Sequence, residues 1–452
     1  MKKIIRRTLL FLVLAALVYG IYYAWFAFPL ISGYSAKNAC SCIFLQGRTK
    51  ENVKEQELSG FPFSLGSLSV NEKDSSVTGS VVGMAKRKAI YRHGLGCTLI
   101  NEIPESVIRS QSFILPVKAK PADTAFWPSG DRLPDTMPAG LDTAKLKQAI
   151  GYAFAENDDD HKVFTRAVVV LYKGQLVAER YGDGFNAQSP MLGWSVAKSF
   201  MNALAGILVK EGKLQLATPV PVSLWQDKKD PRHAITLEHL LQQTSGLDFV
   251  EDYASYSNVT NMLFNKGNMA GYAAGVSLKY TPGTVFHYSS GNSNILSQII
   301  RNTVGETAYH RFPYNSLFSK IGMYSVVLEP DASGTLVGSS YVFATARDYA
   351  RFGLLYYNQG FWNGERILPE GWVQKTAASP PVNHLKNYGY QFWLNGFDKN
   401  DQSKRWYPGV PVDMYFADGF GGQDIYIIPS KKLVVVRLGV NGIKEDEFLK
   451  SV

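Results

Sequence analysis

The sequence predicts an α/β (α+β) domain whose antiparallel sheet draws strands from both chain ends around a helical middle, behind an N-terminal membrane helix and a small β-rich module. Three observations carry this expectation. Strand-like runs at 166–172 and 176–181 are answered by runs at 424–429 and 433–438, and the apolar spacing between the two pairs is mostly helical. An uncharged stretch from residue 8 to residue 36 supplies the membrane helix. Short β-prone runs separated by turn residues fill 33–100.

Taken in order, residues 1–32 read as a basic tip and an anchor. Residues 8–28 are apolar enough to span about 30 Å of hydrocarbon as a helix. Lys2, Lys3, Arg6 and Arg7 precede them, which places the N-terminus in the cytoplasm and the bulk of the chain outside. Tyr19, Tyr22, Tyr23 and Trp25 fall toward the outer half, as interfacial aromatics do. A cleaved signal peptide is the alternative, but its apolar core runs to only about 7–15 residues, and Tyr34-Ser35-Ala36 is a poor cleavage site.

Residues 33–115 form the β-rich module, with strands expected at 67–70, 77–84 and 88–91. Cys40, Cys42 and Cys97 are the only cysteines, so one disulfide from Cys97 to Cys40 or Cys42 is expected in an oxidising compartment. The set is too sparse for a zinc site, and no cysteine remains after residue 97 to act as a nucleophile. The net charge of +9 is no nucleic-acid signature, because residues 1–110 hold 14 Lys/Arg against 7 Asp/Glu. Anionic head groups beside the anchor account for that excess.

Recurrent prolines make 116–140 a linker or an extended strap, and 141–452 is the main domain. It opens with a helix near Asp142 that carries Leu146, Ile150 and Phe154 on one face. The hairpin 166–181 turns at Lys173-Gly174, and 195–210 has the small and apolar residues of a buried helix.

Ser195-Val196-Ala197-Lys198 is the only Ser-x-x-Lys in the chain. Three residues apart on a helix, the two side chains share a face. A serine hydroxyl needs an adjacent base to become a nucleophile, and a desolvated lysine can be one. The helix N-terminus adds free N–H groups where negative charge would develop. Gly193-Trp194-Ser195-Val196-Ala197 is one substitution from a nucleophile elbow, but 183–192 reads as a loop and nothing marks out His384 as the partner. The histidines form no metal motif, so neither metal nor cofactor is expected.

With Ile235-Thr-Leu-Glu-His-Leu-Leu-Gln-Gln-Thr-Ser-Gly-Leu247, Pro282-Gly-Thr-Val-Phe-His-Tyr-Ser-Ser290 and Ala344-Thr-Ala-Arg-Asp-Tyr-Ala-Arg-Phe-Gly-Leu354, this region resembles the class C β-lactamase-related serine hydrolases. Tyr388-Gly-Tyr-Gln-Phe-Trp393 and Gly419-Phe-Gly-Gly-Gln423 continue the match in the same order. The resemblance implies a serine β-lactamase-like fold, and with the N-terminal anchor the expectation is a bacterial inner-membrane protein with its catalytic domain in the periplasm. It implies that Ser195 forms an acyl-enzyme, with Lys198 and Tyr288 as acid/base groups. The backbone N–H groups of Ser195 and Gln423 would form the oxyanion hole. Tyr253, Ser290, Phe420, Gly421 and Gly422 would face a small amide or ester substrate.

Two departures shape the expectation. Ser290 stands where the family has the asparagine of Tyr-x-Asn, and the third motif falls on Phe420-Gly421-Gly422 without its lysine or histidine. Both point to the esterase and 6-aminohexanoate-dimer hydrolase branch. The alternatives are a β-lactamase or D-Ala-D-Ala carboxypeptidase, and a non-catalytic binding module. Gln243 replaces a common histidine with no evident catalytic consequence.

Overall fold

The stretch expected to cross the membrane lies in one helix, Lys2–Phe44, in the computed structural model, which describes residues 2–116, 125–155, 163–397 and 404–452. Its side chains are exposed along residues 4–23 and mostly buried from Ile31 to Cys42. Among the described residues it is the one helix long and apolar enough to cross a membrane, and a signal sequence would pass the same test.

The chain divides into two units. The first comprises Met1–His93, Cys97–Arg109 and Val250–Gly267, the last being a segment that the sequence reading places inside 141–452. Here β1 (Gly66–Asn71), β2 (Ser76–Val81), β3 (Met84–Arg92) and β4 (Gly96–Leu99) form a sheet in chain order. The run expected at 77–84 is split by Val82 and Gly83, whose φ of 49° and 73° make the tight turn between β2 and β3. β2 lies so near the long helix that a Cβ on Gly79 would meet Ser32 O at 2.4 Å. Val250–Gly267 contributes the helix Asn258–Asn265, which buries Val259, Met262, Leu263 and Phe264. Phe264 is edge-on to Tyr34 at 5.7 Å, and Lys266 pairs with Glu102 at 2.7 Å. Of the two pairings left open, the structure has Cys40–Cys97, while Cys42 is buried and accepts from Arg48 at 3.6 Å.

The second unit takes Gly94–Gly96, Ser110–Phe249 and Asn268–Val452. β5 (Phe164–Tyr172) and β6 (Gln175–Tyr181) form the expected hairpin, closed by Lys173 and Gly174 at φ 51° and 80°. β7 (Met191–Leu192), β8 (Val327–Leu328) and β9 (Val342–Ala344) make a small sheet in the order β7-β9-β8. β10 (Phe361–Trp362) and β11 (Glu365–Arg366) pair as a short hairpin. β12 (Trp393–Leu394), β13 (Tyr415–Gly419), β14 (Gln423–Ile428) and β15 (Leu433–Val440) complete the main sheet, ordered β12-β13-β14-β15-β5-β6. The last strand thus pairs with the first, Val436 opposite Val169, and all five pairings are antiparallel.

Both faces of the sheet are covered. Val168, Val170, Phe416, Tyr426 and Val435 form a core with Leu146 and Ile150 of the helix Thr143–Ala153 and with Phe448 and Leu449 of the C-terminal helix. Against the other face lies the helix Ala346–Tyr357, whose Gly353 leaves no room for a Cβ beside Val434 and Ile425. The described part of the proline-rich segment makes contacts with the second unit's sheet hairpin and the Ala346–Tyr357 helix. Trp127 donates to Gly174 O at 3.0 Å beneath the Arg351 guanidinium, which also binds the carbonyls of Pro128 and Gly130. Pro121 of that segment lies outside the described residues.

Candidate active site

The nucleophile turn is built by close backbone approach. Gly193 N donates to Val342 O at 2.8 Å, so β7 and β9 hold the chain immediately before the turn. Trp194 then takes φ 46°, and Ser195 caps the helix Val196–Lys210. Residues 191–192, expected as loop, are therefore a short strand, whose pairing with β9 gives the serine a fixed approach. The elbow reading still fails, because Ser195 Oγ meets a lysine and His384 is exposed.

Lys198 is 1% exposed, and its Nζ donates to Ser195 Oγ and to Ser339 O, both at 2.9 Å. The same Nζ lies 5.0 Å from the centroid of the Tyr288 ring. Tyr288 is half-buried, stacked on Trp393 at 5.1 Å and edge-on to Tyr388 at 5.7 Å. Ser195 and Lys198 thus come from one helix start, and Tyr288 from the loop before another helix.

The loop carrying Tyr288 is held by residues to which the sequence alone assigned no role. Gln243, at φ 60°, accepts from Ser289 N at 3.2 Å and from Asn292 Nδ2 at 2.7 Å through its side chain. Its own carbonyl accepts from His287 N at 2.8 Å. Gln391 ties the two helices together behind the serine: its carbonyl accepts from Ser199 Oγ at 2.8 Å and its side chain from Ser293 Oγ at 2.7 Å. Gln243 stood out only as a departure from the family pattern and Gln391 only as part of the Tyr388–Trp393 motif, and nothing local in the sequence distinguishes Ser339.

The other expected residues fall as follows. Ser290 opens the helix Ser290–Val304 and is fully buried. Phe420 is 65% exposed and stands edge-on to Trp194 at 5.9 Å, beside the serine. Gly421 and Gly422 both take φ 80°, and Arg437 fixes the turn by donating to their carbonyls at 3.0 and 2.9 Å. Gln423 follows as the first residue of β14, its side chain pairing with Phe420 O and with both backbone groups of Gly439. Gly419 lets β13 reach the nucleophile turn, since a Cβ there would sit 2.1 Å from Gly193 O. Tyr253 belongs to the first unit, where it is half-exposed and donates to Glu251 at 2.9 Å.

Asp418 of β13 feels Lys198, which lowers its proton affinity, while burial raises it further than the cation lowers it. Among the described residues no cluster of His, Cys, Asp or Glu could hold a metal. The arrangement of hydroxyl, buried amine and phenol at a helix N-terminus is suited to acyl transfer without one.

The family and fold are shared with known proteins. The β-lactamase family profile matches residues 152–440. The 6-aminohexanoate-dimer hydrolase of Paenarthrobacter ureafaciens is 24% identical over 286 residues, covering 61% of this chain and 72% of that protein. A Bacillus anthracis structure assigned as a 6-aminohexanoate-dimer hydrolase superposes with a TM-score of 0.53 at 26% identity, covering 63% of this chain and 76% of that one. EstCE1, a hydrolase with promiscuous acyltransferase activity, shares the fold at a TM-score of 0.55 and 15% identity over 68% of this chain and 97% of its own. The chain belongs to the β-lactamase family.

Proposed function

We propose that the protein is a membrane-anchored serine hydrolase that cleaves a small amide or ester through a Ser195 acyl-enzyme. The observation that carries this reading is the 2.9 Å contact from a buried lysine amine to a serine hydroxyl at a helix N-terminus. Neutral Lys198 accepts the hydroxyl proton as Oγ bonds to the acyl carbon. The N–H groups of Ser195 and Gln423 hold the oxyanion, and Lys198 or Tyr288 returns the proton to the departing amine or alcohol. Water then attacks the acyl-enzyme with the same groups in reverse.

Phe420 beside Trp194 gives the site an apolar rim in place of the cation that a β-lactam carboxylate would need, which favours esters and linear amides over penicillins. The 24% identical dimer hydrolase supports the same branch. Residues 8–28 serve as the anchor, the basic tip keeps the N-terminus cytoplasmic, and the Cys40–Cys97 disulfide suits a periplasmic catalytic domain.

The test is labelling of the full-length chain in detergent with a fluorophosphonate and a fluorescent penicillin, beside Ser195→Ala. Fluorophosphonate labelling that vanishes in the variant is the expected result. Failure of both probes to label the wild type would refute the hydrolase reading, and rapid turnover of the penicillin would move the protein to the β-lactamases.

A further inference from the structure

One end of the four-stranded sheet in the first unit exposes large apolar side chains. In the β2–β3 turn Val82 is 74% exposed and Met84 55%, and in the loop before β1 Phe61 is 83% exposed and Leu65 47%. Turn and loop lie side by side, because Val81 pairs with both Gly66 and Met84. Ser64 N donates to Gly60 O at 3.0 Å, which curls the loop against the start of β1. No charged residue occurs in 59–71 or in 75–85. The opposite end of the same strands has Glu72, Lys73 and Asp74 in the β1–β2 turn and Arg92 at the end of β3.

The sheet runs along the long helix, which fixes the height of the apolar end. Tyr91, near the end of β3, stacks on Phe44 at 5.9 Å. Farther along, Gly79 of β2 pairs with Arg87 of β3 and approaches Ser32 O and Ala36 N. The strands therefore climb the helix toward its N-terminus, and Val82 lies three residues, about 10 Å, beyond Gly79. That rise equals about seven helical residues, which sets the turn level with roughly residues 25–29. The helix is exposed from residue 4 through residue 23, and Trp25 is 77% exposed. Phe26 meets the half-exposed Tyr256 edge-on at 4.9 Å.

We infer that this end of the first unit is seated in the head-group layer of the membrane that the helix crosses, with Val82, Met84, Phe61 and Leu65 reaching the acyl chains. The inference rests on the anchor reading of residues 8–28. A lone spanning helix sets neither its own tilt nor its rotation, which interfacial contacts decide. The patch, placed off the helix axis, fixes both, and with them the way the first unit faces. Lys86, exposed two residues past Met84, suits the lipid phosphates just above the inserted turn. The helix supplies the attachment and the patch the orientation, since a few interfacial side chains bind only weakly by themselves.

The experiment uses the full chain in vesicles of phosphatidylethanolamine and phosphatidylglycerol, with a polarity-sensitive maleimide dye on Val82→Cys or on Lys73→Cys. Native Cys42 is buried, and the unsubstituted protein gives the labelling background. A second set of vesicles carries a spin label high on the acyl chain, which quenches only dyes that enter the lipid. At residue 82 the emission should shift to the blue and be lost to the quencher, and at residue 73 it should do neither. Phe61→Cys carries the same expectation should Val82→Cys fail to fold. Dye that stays unquenched at 82 and 61, on protein that floats with the vesicles in alkaline carbonate, overturns the proposal. A blue shift without quenching overturns it too, by giving the patch to a second copy of the chain. Protein that leaves the vesicles in carbonate would instead refute the anchor reading beneath it.

Discussion

Gly419→Ala tests whether the catalytic geometry depends on backbone contact between β13 and the nucleophile turn. A methyl group at this position would stand 2.1 Å from Gly193 O and 3.0 Å from Gln423 Cβ. Against an ordinary contact of 3.4 Å, the first approach is short by about 1.3 Å, and a carbonyl within paired backbone cannot swing aside as a side-chain tip can. The strand or the turn must move by about 1 Å, a displacement worth about 10²-fold in rate when it shifts reacting groups. Overpacking of this kind costs about 1–3 kcal/mol of stability. The assay is the fluorophosphonate rate constant with thermal melting of the same samples. Gly151→Ala is the control, because nothing lies within 4 Å of its Cβ on the Thr143–Ala153 helix. It should leave the rate unchanged and stabilise by about 0.5–1 kcal/mol. A Gly419→Ala protein that labels within about twofold of wild type and melts alike would refute the requirement for close approach.

Other outcomes follow from the same geometry. Lys198→Ala should lower labelling by about 10²–10⁴-fold while the protein still melts cooperatively, and an undiminished rate would exclude the lysine as base. Gln243→Ala strips the acceptor from Ser289 N and Asn292 Nδ2 and should cost about 1–3 kcal/mol in chemical denaturation, with slower labelling as the Tyr288 loop loosens. Cys97→Ser opens a crosslink across a sequence separation of 57 and should cost the first unit about 4 kcal/mol, read as a lower denaturation midpoint that reductant no longer changes. Deleting residues 2–23 should abolish membrane association without lowering the melting temperature, whereas deleting residues 2–44 removes Tyr34 from Phe264 and should leave the Asn258–Asn265 helix open to protease.

The legible parts of the fold were those with a strong local period. The 166–181 and C-terminal hairpins and the buried helix after Ser195 lie where alternation and apolar spacing put them. Ser195 and Lys198 were legible because a three-residue helical spacing is enough to make them meet. What escaped depends on contacts far apart in sequence. Ser339 lies 141 residues from the lysine it binds, and Gln391 is 192 from Ser199. Asp418 and Asp424 look like ordinary strand-end polar residues until the register sets them side by side. Val82 was hidden for another reason: a β-branched residue argues for a strand, yet here it takes the left-handed turn, and tertiary pairing outweighs that preference.

The membership of Val250–Gly267 in the first unit has a consequence for biogenesis. A nascent chain presents the long apolar helix, the four strands and both disulfide cysteines within its first 99 residues, yet it must be extended to residue 267 before that unit has all its parts. By then the Ser195–Lys198 helix has already been synthesised. The two units are interleaved along the gene, so exchanging the first 110 residues between homologues would transfer an incomplete body. A functional swap has to carry two separate stretches of coding sequence.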